Sequence, residues 1–335
     1  MDARHTELAK RIGLEHSERI ATLFDMIADD FETDLLLALP ADAPVLSEQL
    51  GRSEQDIAKK LQDLFLRGLV FPSRKTDPPT YRMSRDVIQF HDATALWPGV
   101  TVEYRDLWRE FMEEEWPKIS KTLPEIYGRP MSRVIPVGVS MEPKASVLAF
   151  ENVKEIIDNA RTLTVTDCPC RLTHRKCDKP LEVCLQVGRT AEYNITRGYG
   201  RKLTKQEALD VMRQAEEAGL VHMVTNQRSV DHIICNCCSC CCVTMPMVIQ
   251  HGFNVLDPSR FLARVDTDLC NACETCLDRC IFGAIEMTGG NGQDLASIDP
   301  DKCMGCGLCQ ITCQEEAISL EEVRPQGFVP EKMGH

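Results

Sequence analysis

Apolar residues in the first hundred positions recur every three or four, with polar ones between. Ile20, Leu23, Phe24 and Ile27, then Leu35 and Leu36, give residues 17–39 a helical period. Val45 to Gly51 continues the pattern. Ser53 then stands three residues before Asp56 as an N-cap. Ile57, Leu61, Leu64 and Phe65 form an apolar stripe that Gly68 ends. Beyond Gly68 the period changes: Leu69–Phe71 and Tyr81–Met83 read as two short strands around the Pro-rich tip Thr76–Pro79. Val102 to about Glu115 reads as an acidic helix that Pro117 ends or kinks. Arg133–Val139 is extended and apolar. Phe150 opens a helix with Ile156, Ile157 and Ala160 on one face. Leu163–Thr166 reads as a strand that delivers Cys168 at its end. The three tryptophans, Trp97, Trp108 and Trp116, read as core or interface, and the polar tail after residue 321 as a flexible or partner-bound arm.

Helix, turn, helix and two-stranded wing over about residues 30–93 resemble a winged helix. That fold often binds DNA, so a redox-sensing transcriptional regulator is one alternative function. Its charge argues otherwise. Residues 1–95 carry 17 acidic and 12 basic side chains, a net of −5. The would-be recognition helix sets Lys59, Lys60 and Arg67 against Glu54, Asp56 and Asp63. Phosphate binding needs a basic footprint. A protein-docking or dimerisation module is therefore expected, and nucleic acid is not.

The chain's 18 cysteines change the picture most. Residues 270–313 write one pattern twice: Cys270, Cys273, Cys276, Cys280, then Cys303, Cys306, Cys309, Cys313. An offset of 33 maps each cysteine of the first run onto one of the second. It also maps Asp266 onto Asp299, Asp268 onto Asp301, and Ala284-Ile285 onto Ala317-Ile318. Three close thiolates on a tight loop can converge on one cluster, while the fourth is free to point elsewhere. Residues 262–320 resemble the bacterial two-[4Fe-4S] ferredoxin domain. The resemblance implies that Cys270, Cys273, Cys276 and Cys313 hold one cluster, and Cys303, Cys306, Cys309 and Cys280 the other. Two departures stand out. Ile281 and Gln314 replace the family's usual proline after the fourth cysteine, and a soft insert, Thr288 to Asp294, separates the runs. Zinc, the other four-thiolate metal, rarely sits on such x2-x2-x3 spacing.

The other ten cysteines fall between residues 168 and 242: Cys168, Cys170, Cys177 and Cys184, then Cys235, Cys237, Cys238, Cys240, Cys241 and Cys242. Structural thiols are usually buried singly, so six in eight residues of a chain with no disulfide framework argue for metal. As a helix, the dense run would gather Cys235, Cys238 and Cys242 on one side and Cys237, Cys240 and Cys241 on the other. A strand would also split neighbouring cysteines between two faces. One or two further iron–sulfur clusters are expected here, with zinc or free regulatory thiols as alternatives. The layout as a whole resembles a group of uncharacterised iron–sulfur proteins of anaerobes. That group joins a segment like Cys168-Pro-Cys170-Arg171 and a helix like Leu203–Leu209 to a run like Cys235–Cys242 and a terminal ferredoxin domain. The doubled cysteines also resemble heterodisulfide reductase domains, although those use widely spaced pairs. Arg171, Arg175, Lys176, Arg197, Arg201 and Lys202 could offset thiolate charge or hold an anionic cofactor.

These features predict an α+β, multidomain chain. A mostly helical winged-helix-like module spans 1–95, a connector 96–150, a central α/β cysteine-rich domain 151–255, a dicluster ferredoxin domain 260–320 and a tail 321–335. The formal net charge is −13, of which residues 265–320 supply −8 (ten acidic, two basic). Carboxylates near a cluster disfavour an added electron and favour docking to a basic partner. No nucleophile, P-loop or dinucleotide motif appears, and catalytic residues stay unassigned. His174, inside the cysteine segment, is the histidine to examine as a ligand or proton donor. The expected function is single-electron transfer, alone or as an oxidoreductase subunit. A redox protein, such as a flavoprotein, is the expected partner, with both homodimer and hetero-complex left open. A reductase with a catalytic central cluster is a second alternative. The thiols and the lack of a leader or membrane span suggest the cytoplasm of an anaerobe.

Overall fold

The computed structural model describes residues 2–73, 75–137, 148–149, 151–289 and 294–332. The expectations for Gly138, Val139, Phe150, the last residues of the tail (333–335) and most of the soft insert (positions 290–293) fall outside the described residues. The chain is α+β and divides into two compact units.

The first unit is Met1–Trp116 with Leu172–His174. It contains α1 (Ala3–Arg11), α2 (Glu18–Ile27), α3 (Asp30–Leu37), α4 (Ala43–Leu50), α5 (Glu54–Arg67), β1 (Val70–Pro72), β2 (Tyr81–Met83), α6 (Val87–Ala95) and α7 (Val102–Glu114). The single period expected over 17–39 is two helices. Asp29 interrupts it by forming a capping box with Glu32, which starts α3 afresh. Ser53 caps α5 through the Asp56 N–H at 3.1 Å, and Gly68 stops it at φ 87°. β1 and β2 pair antiparallel. The core is aromatic: Phe24 stacks on Phe90 with centroids 4.2 Å apart, and fully buried Trp108 meets Phe90 and Phe111 edge-on.

α7 stops at Glu114, ahead of Pro117, which takes the second position of α8 (Trp116–Ser120), a first-turn place where its missing N–H leaves no bond unmade. The second unit is Pro117–Arg171 with Arg175–His335. Its elements are α9 (Leu123–Tyr127), β3 (Ser132–Val134), α10 (Val153–Asn159), β4 (Leu163–Asp167), α11 (Pro169–His174, shared with the first unit), β5 (Glu182–Val187), α12 (Arg189–Arg197), β6 (Arg201–Lys202), α13 (Lys205–Glu217), β7 (Val221–Thr225), β8 (Ile233–Cys237), α14 (Met245–Ile249) and β9 (Leu256–Asp257). These seven strands form one sheet in the order β6-β4-β5-β8-β7-β3-β9, antiparallel except for β3 beside β9.

Alternation along the strands divides the core between the sheet's two faces. Ile234 and Val224 face Ile157, Met212 and Ala215 of α10 and α13. Val221, Met223, Cys235 and Cys237 face the other way, toward Leu308 and Met304. Those two residues belong to the last part of the chain: β10 (Phe261–Val265), α15 (Thr275–Arg279), β11 (Ile285–Thr288), β12 (Leu295–Ile298), α16 (Leu308–Thr312) and β13 (Ile318–Glu322). The first lead-in strand pairs with the second exit strand, β10 with β13, and β12 pairs with β11. No described helix is long and apolar enough to cross a membrane.

Candidate metal centres

The two C-terminal cysteine runs repeat in backbone as they do in sequence. Asp268 donates its N–H to Asp266 at 2.9 Å, and Asp301 does the same to Asp299. Asp266 bonds to the carbonyl of Ala317, and Asp299 to that of Ala284, so each run is tied to the exit of the other. Three equivalent pairs have positive φ: Ala272 and Gly305, Glu274 and Gly307, Gly283 and Glu316. These left-handed residues curl each loop around its sulfurs.

The thiols of the two runs intermingle across the repeat. The electrostatic neighbours of the Cys276 thiol are Cys273, Cys270 and Cys313. Those of Cys309 include Cys306, Cys280 and Cys303. One cavity is lined by Cys280, Cys303, Cys306 and Cys309 together. Burial pushes the Cys306 thiol up to about 12, so a metal must displace its proton to bind. The two runs differ in surroundings. Cys273 is exposed, beside exposed Leu269 and the acids Asp266, Asp268 and Glu274. The second run is packed against the central sheet, where the Val137 N–H donates to the carbonyl of Cys306 at 2.9 Å.

The run Cys235–Cys242 is a strand end and a turn, not a helix. The helical partition of its thiols is accordingly replaced. β8 places Cys235 and Cys237 on one face two residues apart, and the chain then reverses. Cys237 lies in one cluster with Cys235 and Cys242, and these neighbouring thiols together with burial push it up. Cys168 follows the end of β4 as expected and caps α11, with Cys170 and Arg171 holding its thiol down. Cys238, Cys240 and Cys241 leave the turn on the other side and meet Cys177. The four sulfurs lie within 4.8 Å of one another, and no other such group of three or more ligating side chains occurs among the described residues.

Arg171 stands between the two thiol groups. It is buried, donates to the carbonyls of Pro180 and Asn236, and feels the charges of Cys168, Cys238 and Cys237. Hydrogen bonding from Cys241, joined by Arg171, pulls the Cys238 thiol down to about 3. The other cations named from the sequence have different surroundings. Arg197 is buried over the rings of Tyr193 and Tyr199, and Arg201 pairs with Glu182 on the surface. Lys176 contributes its backbone N–H to Cys241. Cys184 lies buried on β5 with the Gln186 amide 3.4 Å from its sulfur, and His174 ends α11; neither joins the four-sulfur group. Sequence reasoning missed the Glu216–His222–Asn236 chain beneath β8. His222 holds Asn236 at 2.6 Å and Glu216 at 3.2 Å, which fixes the strand between Cys235 and Cys237. Its only sequence signal is a polar residue between two cysteines.

Duplicated cysteine loops of this kind, in a chain so rich in thiols, belong to an iron–sulfur protein. Residues 269–317 match the family described as the 4Fe-4S dicluster domain. No curated protein and no solved structure matches the chain significantly.

Proposed function

We propose that this protein carries single electrons through three iron–sulfur centres in series, alone or as a subunit of a larger redox enzyme. The first cluster takes Cys270, Cys273, Cys276 and Cys313, and the second takes Cys303, Cys306, Cys309 and Cys280. A third is held by thiols drawn from Cys168, Cys170, Cys235, Cys237 and Cys242. The supporting observation is the packing of the second run on the sheet face that carries Cys235, Cys237 and Cys242, in one apolar cluster with Leu308 and Cys306. The order of transfer follows from exposure. A partner meets the first cluster, at the solvent-facing acidic loop, and the second cluster lies between it and the central thiols.

A basic redox protein, such as a flavoprotein, suits that acidic face. The helix–helix–hairpin region of the first unit serves, on this reading, as a winged-helix-like docking or dimerisation module. Its charges disfavour DNA binding. Lys60 pairs with Asp29 and Glu32, and Arg67 is buried against Glu32 and Asp63. A cytoplasmic setting in an anaerobe accords with so many thiols.

Anaerobic iron and sulfide counting, with redox-titrated electron paramagnetic resonance, tests the proposal. Three cubanes require about twelve irons per chain and three reducible signals. About eight irons, with no signal lost in Cys237→Ser, would remove the central relay. A preparation with no reducible cluster would refute the whole function.

A further inference from the structure

Cys177, Cys238, Cys240 and Cys241 have a different shape from the sulfur sets assigned to clusters. The sulfur of Cys177 lies 3.9 Å from Cys238 and 3.7 Å from Cys241, and Cys240 lies 3.8 Å from Cys241. Four thiolates around one ion at 2.3 Å span edges of about 3.8 Å in a regular tetrahedron. A four-iron cube holds its outer thiolates at the corners of a larger tetrahedron, with edges of roughly 6 Å. The four sulfurs here fit the smaller figure, since all lie within 4.8 Å of one another.

We propose that these four cysteines hold a single zinc ion in a closed tetrahedral site, separate from the iron–sulfur relay. All four ligands come from the protein, as in structural zinc sites, and thiolates bind zinc more tightly than ferrous iron. Four thiolates and one zinc leave a net charge of −2, which buried Arg171 partly offsets beside Cys238. The Lys176 N–H orients the Cys241 sulfur. The ion clips the loop at Cys177 to the turn 238–241. That turn separates Cys237 from Cys242, so the metal sets the spacing of the thiols on the opposite face without passing electrons itself. The inference leans on the proposed relay only for this last consequence. Its metal content is independent of the relay.

The test uses the full chain, made anaerobically with both iron and zinc supplied. Expected are one zinc per chain in addition to the cluster iron, and a zinc-edge X-ray absorption spectrum with four sulfurs at about 2.3 Å. Cys240→Ser should lose the zinc while keeping the paramagnetic signals of the two C-terminal clusters. Cys184→Ser, outside the group, should keep both. Cobalt supplied in place of zinc should give the absorption of a tetrahedral tetrathiolate. Wild-type protein without zinc, or with zinc bound by nitrogen or oxygen, overturns the inference whether or not the variants fold. So does iron in this site. Loss of relay signals with zinc retained would instead count against the relay.

Discussion

Burial alone would drive the Glu32 carboxyl toward its neutral form. Arg67 and Lys60 donate to it and outweigh that effect, holding it below the usual carboxylate range. A carboxyl depressed in the folded state contributes stability above its unfolded value, near 4.3, and loses it as pH falls through the folded value. Glu32→Gln should cost on the order of 1–2 kcal/mol at pH 7, because buried Arg67 keeps only the half-exposed Asp63 and Lys60 only Asp29 as partner charges. Denaturant unfolding at pH 7 and again near pH 3 checks this: the gap between variant and wild type should narrow at the lower pH. Arg171 matters for charge rather than stability alone. Removing a positive charge about 10 Å from a cluster, at an effective dielectric of about 20, lowers its potential by about 70 mV. Arg171→Leu should therefore shift the proposed central centre downward in a redox titration and leave the exposed C-terminal cluster nearly unmoved. Equal shifts in both would argue against its placement beside the central thiols.

Among the elements, the duplicated cysteine loops show how one backbone accepts different residues. The left-handed position that is Ala272 in the exposed first loop is Gly305 in the second. A side chain at Gly305 would come within 2.1 Å of the Phe261 carbonyl and 2.3 Å of the Ser259 hydroxyl. Ser259 also donates to the Gly305 carbonyl at 2.7 Å. Glycine is needed there for space as well as for φ. Gly305→Ala should strip the second cluster, halving the C-terminal iron, whereas Ala272→Gly should leave both clusters loaded; iron analysis of the two variants decides it. The helical stripe of α5, its Ser53 cap and its Gly68 stop were legible, because local spacing and capping chemistry specify them. The break at Asp29 was written in the sequence as well, in an Asp three residues before a Glu, but the continuous apolar period masked it. The shape of Cys235–Cys242 was not legible. Six cysteines carry no periodicity, and only pairing with β5 and β7 makes the first part a strand.

For the molecule as a whole, charge and packing give the two C-terminal cysteine loops different surroundings. The first loop presents Asp266, Asp268 and Glu274 to solvent, while the second is covered by the central sheet. Electron exchange with a basic redox protein should slow as ionic strength rises past about 0.1 M, because the charges that steer docking are then screened. Asp266→Lys with Asp268→Lys should slow it roughly tenfold at low salt and flatten the salt dependence, as seen by stopped-flow spectroscopy. A rate indifferent to both changes would move the docking site elsewhere.

Local spacing alone pointed to 4Fe-4S chemistry in the two C-terminal runs, through eight cysteines in register over one short stretch, and residues 269–317 match the 4Fe-4S dicluster domain. It also specified the caps and stripes of the first helices. Tertiary structure decided how the ten central thiols are shared. Cys177 lies 61 positions before Cys238, and no periodicity connects residues so far apart. They meet because β8 sends alternate residues to opposite faces of a sheet and the chain then turns back. The separation of Cys235, Cys237 and Cys242 from the compact four-sulfur group is a property of that sheet and its two coverings.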